Sequence, residues 1–564
     1  MTASTSTAAA YLALLAERGV AYLFGNAGTD FAPLVEAYAH AAQHGTAVPR
    51  PMLATHENLA VSMAHGYAMV TRKIPAVMVH VSVGTANMAC AAMNAARENI
   101  AMLLTAGRTP ITEAGMLGSR DGYIHWAQEM YDQAGIVREL VKWDYELRNG
   151  EQLDTVLDRA LAIAASEPRG PVYLSLPREV LAAPAAATRA TTRAVAAAPP
   201  APDGEALAAA ARLLAAAKAP LIITANAGRD PAAFAALGAL AERFALPVVQ
   251  HHPRYLSLPS AHAMNLGYDP GALVASADCI LVLECDVPWL PGRVAPPPDC
   301  RVIHCGFDPL YSRIPIRGFR CDVAITGAAA AALHGIGERL ASAAEPAVIA
   351  TRRATFAKLR GALAEQWRHA QEAARACAPL HPVHVSHCLG AAKDARAIVV
   401  NEYSLRLEHC AFAHADTFFG SSAASGLGWG AGAALGAKLA APDRTVIAVL
   451  GDGAYLFSNP AAVHHAATLH ELPVLFVIVN NGMWNAVARF TAAMYPTGAA
   501  VRSNAPAFTR LDPLPRFEQI CAAAGGHGER VEDPQALPDA LARALAVVNG
   551  ERRQALLNVI CTAD

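Results

Sequence analysis

Thr445 to Asp452 reads TVIAVLGD, an apolar run that ends in a carboxylate flanked by Gly451 and Gly453. Such a run reads as a buried parallel strand, and the C-terminal ends of parallel strands are where α/β sheets hold ligands. The glycines let a ligand approach the backbone closely, and Ala454 follows them. Ser458-Asn459-Pro460 then supplies an N-cap and a proline at the first position of a helix running to His470. Leu472 to Val479 forms a second buried strand that ends in Asn480-Asn481-Gly482. Two neighbouring strands thus bring a carboxylate and a carboxamide oxygen to one sheet edge beside a helix N-terminus. Mg²⁺ prefers such hard oxygen donors, with phosphate oxygens and water completing an octahedron, so the pattern predicts a diphosphate anchored through a metal. Gly-Asp-Gly alone is also an ordinary strand-to-helix turn; its pairing with Asn-Asn on the next strand marks it as a site.

Parallel strands need helices on both faces, and the chain supplies that rhythm throughout. Short apolar runs at Ala76 to His80, Met102 to Thr105, Val172 to Leu176, Leu221 to Thr224, Cys279 to Leu283, Ala397 to Val400, Thr445 to Leu450 and Val474 to Val479 alternate with Ala-rich helical stretches. The expected fold class is α/β, with doubly wound parallel sheets. Two seams divide the chain. Ala182 to Pro202 is rich in Ala, Pro and Thr and keeps no apolar period, which reads as a linker. Gly335 to Pro379 is a charged helical stretch that stops at a proline. Three domains of ordinary size follow, over 1–183, 203–335 and 376–564. The first and third share a rhythm that alternation alone cannot prove to be common ancestry.

Composition narrows the function class. The chain has 564 residues, 54% hydrophobic and 16% charged, and can bury several cores. A formal net charge of -2 provides no basic field, and nucleic acid is excluded as a partner on that ground. Eleven cysteines stand singly with no C-x-x-C pair, which argues against a zinc site or a disulfide framework and fits a reducing cytoplasm. Met1 to Gly19 reads as an amphipathic helix rather than a signal peptide, and no apolar stretch is long enough to span a bilayer, so no membrane partner is expected.

The Gly-Asp-Gly and Asn-Asn pair resembles the signature of the thiamine-diphosphate enzyme family. The resemblance implies thiamine diphosphate and Mg²⁺ as cofactors, with Asp452, the Asn481 side chain and the Met483 carbonyl as metal ligands and Gly451, Gly453, Ala454 and Met483 beside the cofactor. It also implies that the three domains are pyrimidine-binding, middle and diphosphate-binding. Thr55-His56-Glu57-Asn58-Leu59-Ala60 and Met63-Ala64-His65-Gly66-Tyr67-Ala68 are similar to the family stretch that carries a glutamate, which places Glu57 against the aminopyrimidine. A carboxyl hydrogen-bonded to N1′ raises the basicity of the amino group opposite, and that group removes the thiazolium C2 proton. Without the resemblance, Glu57 is a carboxylate at a helix start. Gly426-Leu427-Gly428-Trp429-Gly430-Ala431-Gly432 resembles the stretch whose bulky residue supports the bent cofactor, so Leu427 takes that place, although a core leucine would look the same.

Phe24-Gly25-Asn26-Ala27-Gly28-Thr29 resembles the F-G-x-P-G turn that opens the first domain of decarboxylases and acetolactate synthases, with Ala27 replacing the proline. His80-Val81-Ser82-Val83-Gly84-Thr85-Ala86-Asn87 is similar to a benzoylformate decarboxylase stretch, which implies catalytic roles for His80 and Thr29. A histidine titrates near neutrality and suits proton transfer; a structural, hydrogen-bonded histidine is the alternative. The same branch implies Trp484, Val487 and Phe490 near the substrate, although these also fit a helix core. Gln128, in Trp126-Ala127-Gln128-Glu129, resembles the F-Q-E stretch of acetolactate synthases instead, and is placed in the substrate pocket. The middle segment Leu283 to Trp289 has no histidine where benzoylformate decarboxylases carry a second one, and His251-His252 read as structural.

In the family's mechanism the cofactor attacks a 2-oxo acid and the cationic thiazolium accepts electrons as CO₂ leaves. Protonation then yields an aldehyde, whereas attack on a second carbonyl yields a 2-hydroxy ketone. The expectation is decarboxylation of a small-molecule 2-oxo acid. The alternatives are an acetolactate-synthase-like carboligase, with or without flavin in the middle domain, and a cofactor-binding protein without turnover. The resemblance implies a homodimer or homotetramer, because the first domain of one subunit faces the third domain of another.

Overall fold

The computed structural model describes residues 5–185, 193–503 and 507–563. Part of the proposed linker, 186–192, lies outside them; 193–203 carries no helix or strand. The chain forms three parallel sheets, each covered by helices. The first contains β1 (Tyr22–Gly25), β2 (Arg50–Leu53), β3 (Ala76–Val79), β4 (Met102–Arg108), β5 (Asp144–Glu146) and β6 (Pro171–Pro177) in the order β2-β1-β3-β4-β6-β5. The second contains β7 (Pro220–Thr224), β8 (Val248–Gln250), β9 (Cys279–Leu283), β10 (Arg301–Gly306) and β11 (Val323–Thr326) in the order β11-β10-β9-β7-β8. The third contains β12 (Ile398–Glu402), β13 (Phe418–Gly420), β14 (Val446–Gly451), β15 (Leu475–Asn480), β16 (His527–Val531) and β17 (Ala555–Ile560) in the order β13-β12-β14-β15-β17-β16. Counted from their own first strands, the first and third sheets have the same strand order. The α/β reading holds, and the apolar runs picked out in the sequence all fall on strands.

This topology dictates where ligands go. In a doubly wound sheet the strand order reverses at one place, and a crevice opens outside the strand ends there. In the first sheet the reversal lies between β1 and β3; in the third it lies between β12 and β14. Asn26 and His80 follow the first pair of strands, and Glu402 and Asp452 stand at the ends of the second pair.

The helix Glu57–Thr71 of the first domain packs along the helix Trp429–Ala440 of the third, and glycine makes the approach possible. A Cβ on Gly66 would lie 1.9 Å from the Ala433 carbonyl oxygen, and one on Gly436 would lie 1.9 Å from that of Met63. The two domains therefore share one continuous apolar core that runs from Phe24 and Met63 to Leu435 and Phe476. The Gly66→Ala variant is expected to lose about 2 kcal/mol or more, since the methyl meets backbone rather than a movable side chain. A denaturant midpoint and slope for both proteins checks this, and an unchanged midpoint would contradict the close crossing.

Candidate functional site

β14 and β15 run in register, Leu450 opposite Ile478 and Gly451 opposite Val479, so their ends are flush. Asp452 begins a short helix, Asp452–Phe457, that the sequence reading did not contain. The expected cap at Ser458-Asn459 does not form. Asn459 has φ +57° and makes no side-chain cap bond, while the Ser458 hydroxyl donates to the Tyr455 carbonyl at 2.6 Å. The helix Pro460–Leu469 still opens on its proline.

Asp452 is buried, and its carboxylate ties the two strand ends together. Oδ1 accepts the Gly453 N–H and Oδ2 accepts the Gly482 N–H, each at 2.7 Å. Asn481 Oδ1 accepts the Met483 N–H at 3.1 Å, and the Met483 carbonyl accepts the Asn485 N–H at 2.9 Å. Burial pushes the Asp452 carboxyl above its usual value while the neighbouring backbone amides pull it back; among the described residues no cationic side chain pairs with it. Asn480 is turned away, its Nδ2 donating to Asn558 Oδ1 at 3.0 Å, so of the two asparagines Asn481 is the one left for a ligand. A cavity of about 510 Å³ opens beside Asn481, Gly482, Met483 and Arg510. A Cβ on Gly453 would lie 2.3 Å from the Trp484 ring, whereas one on Gly451 would meet Ser404 Oγ only at an ordinary 3.4 Å. Ala454 is buried behind them. Val487 and Phe490 are exposed, 48% and 66%, so the helix-core alternative does not apply to them.

On the first sheet, His56 caps the helix that begins at Glu57. Glu57 is buried, and both its oxygens are held: Oε1 accepts from Asn26 Nδ2 at 3.0 Å and Oε2 from Asn87 Nδ2 at 3.1 Å. His80 follows β3, its Nδ1 2.6 Å from Asp30 Oδ1 and its Nε2 3.4 Å from Gln128 Nε2. The Asp30 contact raises the His80 imidazole above its ordinary value against the pull of burial. Gln128 Oε1 is buried with no partner among the described residues, while its backbone carbonyl accepts from the Ser82 hydroxyl at 2.8 Å. Thr29 is exposed at the start of the turn Thr29–Phe31. The structure thus gathers Glu57, His80 and Gln128 on one sheet edge and Asp452, Asn481, Met483 and Trp484 on another.

Leu427 is half-buried and belongs to no apolar core, so the core-leucine alternative does not apply. The loop is pinned from two sides. Asn94 donates to the Gly426 carbonyl at 2.8 Å and accepts its N–H at 3.0 Å, while buried Glu402 accepts the N–H groups of Gly428 at 2.9 Å and Gly430 at 2.7 Å. Asn87 and Asn94 are seven residues apart on the helix Val81–Arg97, two turns along one face, so one helix positions both Glu57 and the Leu427 loop.

The chain matches three consecutive family descriptions: the thiamine pyrophosphate enzyme N-terminal TPP binding domain over residues 5–136, the central domain over 207–336 and the C-terminal TPP binding domain over 403–559. The chain belongs to the thiamine pyrophosphate enzyme family. It is 27% identical to benzoylformate decarboxylase of Pseudomonas aeruginosa over 91% of each chain. It is 30% identical to a probable 2-ketoarginine decarboxylase of the same organism, covering 84% of this chain and 81% of that one. The fold matches the 4-hydroxybenzoylformate decarboxylase of Rhodococcus jostii with a TM-score of 0.78 at 22% identity, over 99% and 100% of the two chains. As a thiamine pyrophosphate enzyme it uses thiamine diphosphate, and the oxygen set around Asp452 has the donor chemistry of a hard divalent cation that could carry the diphosphate end of that group.

Asn26, Asp30, Asn87, Asn94 and Glu402 received no role from the sequence alone. Asn26 and Asn87 lay inside recognisable motifs, and Glu402 ends a buried strand exactly as Asp452 follows one; Asp30 carried no signal beyond its neighbour Thr29. Burial pushes the Glu402 carboxyl up to about 7, with the amides of residues 430, 428 and 429 pulling against it. A folded-state value above the unfolded one stabilises fully below the unfolded value and is lost as pH rises through 7. The parent should therefore lose about 3 kcal/mol relative to Glu402→Gln between pH 5 and 8. Paired denaturation curves across that range test it; parallel pH dependences in the two proteins would contradict the assignment.

Proposed function

We propose that this protein is a thiamine diphosphate and Mg²⁺ dependent, non-oxidative decarboxylase of a 2-oxo acid. The observation that carries the reading is His80, an imidazole backed by a buried carboxylate on the same sheet edge as Glu57. A proton donor at that place favours release of an aldehyde over attack on a second carbonyl. Two relatives matched over most of their length carry the names of 2-oxo acid decarboxylases and agree with it, while others are acetolactate synthases.

Each residue then has a task. Asp452, Asn481 and the Met483 carbonyl would hold Mg²⁺: each accepts a backbone N–H through one lone pair and keeps another. A buried carboxylate without a counter-charge is costly, and a divalent cation removes that cost. Glu57, oriented by Asn26 and Asn87, would bind the pyrimidine nitrogen, and Leu427 would support the bend between the rings. Thiamine diphosphate, when bound, supplies the electron sink for the bond that breaks. Trp484, Val487, Phe490 and Gln128 would border the substrate, Thr29 would stand beside it, and His80 Nε2 would carry the proton.

The second reading, a carboligase, rests on Gln128, which lies against His80 and resembles the acetolactate synthase residue. The middle domain argues against a flavin. Its strand order reverses between β7 and β9, and that edge is filled by the chain itself: Arg254 reaches Glu98 at 3.3 Å and Asp286 at 2.8 Å, and Arg229 reaches Glu284 and Glu167 at 3.9 Å. A homodimer or homotetramer fits the exposed Leu53 and Val83 on the first domain and Phe457, Val487, Phe490 and Met494 on the third, apolar surfaces that a second copy would cover, and the free cysteines suit a reducing cytoplasm. Among the described residues no helix is long and apolar enough to cross a membrane.

Incubating the cofactor-loaded enzyme with a panel of 2-oxo acids, following CO₂, aldehyde and 2-hydroxy ketone together, decides between the readings. Aldehyde in step with CO₂ is expected; ketone as the main product would establish the carboligase. Glu57→Gln should slow turnover by about 100-fold or more, and Asp452→Ala should abolish Mg²⁺-dependent cofactor binding in a calorimetric titration. Parent-like turnover in the first or parent-like affinity in the second would remove the site assignment.

A further inference from the structure

His80 does not stand alone, and the way it is held goes beyond its expected presence. Asp30 is buried, 2% exposed, and its Oδ1 lies 2.6 Å from His80 Nδ1 while Oδ2 approaches the Val81 N–H at 3.4 Å. Two glycines clear the space for this pair. A Cβ on Gly28 would lie 2.1 Å from His80 Nδ1, and one on Gly107 would lie 1.8 Å from Asp30 Oδ2. The backbone is strained to aim the ring: Val81, a β-branched residue, has φ +31°, where such side chains are rarely found. The ring therefore has a fixed back, turned to Asp30, and a front, Nε2, turned to Gln128.

Resting on the reading of His80 as proton carrier, we infer that Asp30 is the positioning residue of this enzyme: it holds the proton on Nδ1 and so reserves Nε2 for exchange with the substrate. A carboxylate against one ring nitrogen fixes the tautomer, because the carboxylate accepts and the ring must donate. In the neutral ring Nε2 then has its lone pair free, facing the Gln128 amide N–H. In the charged ring the proton to be given sits on Nε2. Transfer breaks that N–H bond and forms a C–H bond at the former carbonyl carbon; the ring returns to its neutral, Nδ1-protonated form, and solvent restores the proton. No oxidant or reductant is involved. The charged and titratable groups facing the ring are Asp30 on the turn after β1, Glu57 at its helix start and His125 in the short helix Ile124–Ala127 before Gln128. Both carboxylates favour the imidazolium, and Asp30, in contact, is the stronger.

The test uses the assembled, cofactor-loaded enzyme. Asp30→Asn, which keeps the shape and removes the charge, should lower kcat by about 10- to 100-fold with little change in KM. Activity that needs the charged ring falls as pH rises through its titration, so the alkaline limb of the kcat profile should move to lower pH in Asp30→Asn. Gly107→Ala, whose methyl falls on the Asp30 carboxyl, should reproduce both effects and guards against a folding failure of the first variant. An independent readout is the ring carbon resonances of His80 in histidine-labelled protein, identified by their loss in His80→Gln. The parent should show the Nδ1-protonated tautomer, with a titration midpoint that drops in Asp30→Asn. An Nε2-protonated ring in the parent, or an unmoved alkaline limb and kcat in both variants, overturns the inference. A His80→Gln enzyme running at the parent rate would sink the proton-carrier reading itself, whereas a slow His80→Gln beside an unaffected Asp30→Asn would sink the Asp30 inference alone.

Discussion

The crossing of the helices Glu57–Thr71 and Trp429–Ala440 fixes the first sheet of the chain against the third, and the elements that carry the candidate site residues are built on that joint. Each helix begins at a site residue: Glu57 opens the first, and the Leu427 loop leads into the second. Because Gly66, Gly432 and Gly436 allow backbone to meet backbone, the pair has little freedom to slide, and the two sheets are locked through their own site-bearing elements. The helix Val81–Arg97 adds a brace across this joint, gripping Glu57 through Asn87 and the Leu427 loop through Asn94. Precision at the site thus comes from rigid helices rather than from loops, as a preorganised centre requires.

The middle domain contributes to the same rigidity by a different force. Arg254, fully buried, sits between Glu98 of the first domain and Asp286 of its own. Removing one partner of such a cluster leaves a buried charge uncompensated, which is far costlier than the net worth of the cluster, so the arrangement resists partial opening more than it adds stability. Arg313 extends the seam by donating to the carbonyls of Glu139 and Val141. The charged residues at this sheet edge fasten the middle domain to the first.

Much of this was legible in the sequence because the decisive signals are local. A buried strand running into Gly-Asp-Gly, and a second one into Asn-Asn, declare the fold class and mark the strand ends proposed as the ligand edge, since parallel strands are apolar throughout and their ends are not. The short or partly exposed strands, such as Arg50–Leu53 and Asp144–Glu146, carry no such run and give no periodic signal. The short helix at Asp452 was hidden because its residues, DGAYLF, have no cap and no helical period. Asp30, Asn94 and Glu402 act on partners 50, 332 and 26 residues away, as His80, Gly426 and Gly428 show. Such pairings are created by the topology, and nothing near those residues in the chain announces them.

The distribution of charge explains why the site is split between two domains. Asp452 and Glu402 on the third sheet, and Glu57 and Asp30 on the first, are all buried acids, with His80 as the group able to carry a positive charge among them. A polyanion such as a diphosphate could not approach Asp452 unaided; on the proposed reading a divalent cation held by the carboxylate and two neutral oxygens would bridge them, and the acid would be what recruits that cation. The first sheet faces the opposite requirement. A nitrogen heterocycle is a weak base, and a carboxylate is the group that draws a proton onto it, so in the proposed role Glu57 would act directly, without a metal. Placing both kinds of acid on one sheet edge would expose the ring-binding carboxylate to the cation and weaken its hold on the ring. Two sheets of the same strand order, each offering one crevice, separate the tasks, and the glycine-mediated helix crossing fixes the two sheets of one chain against each other.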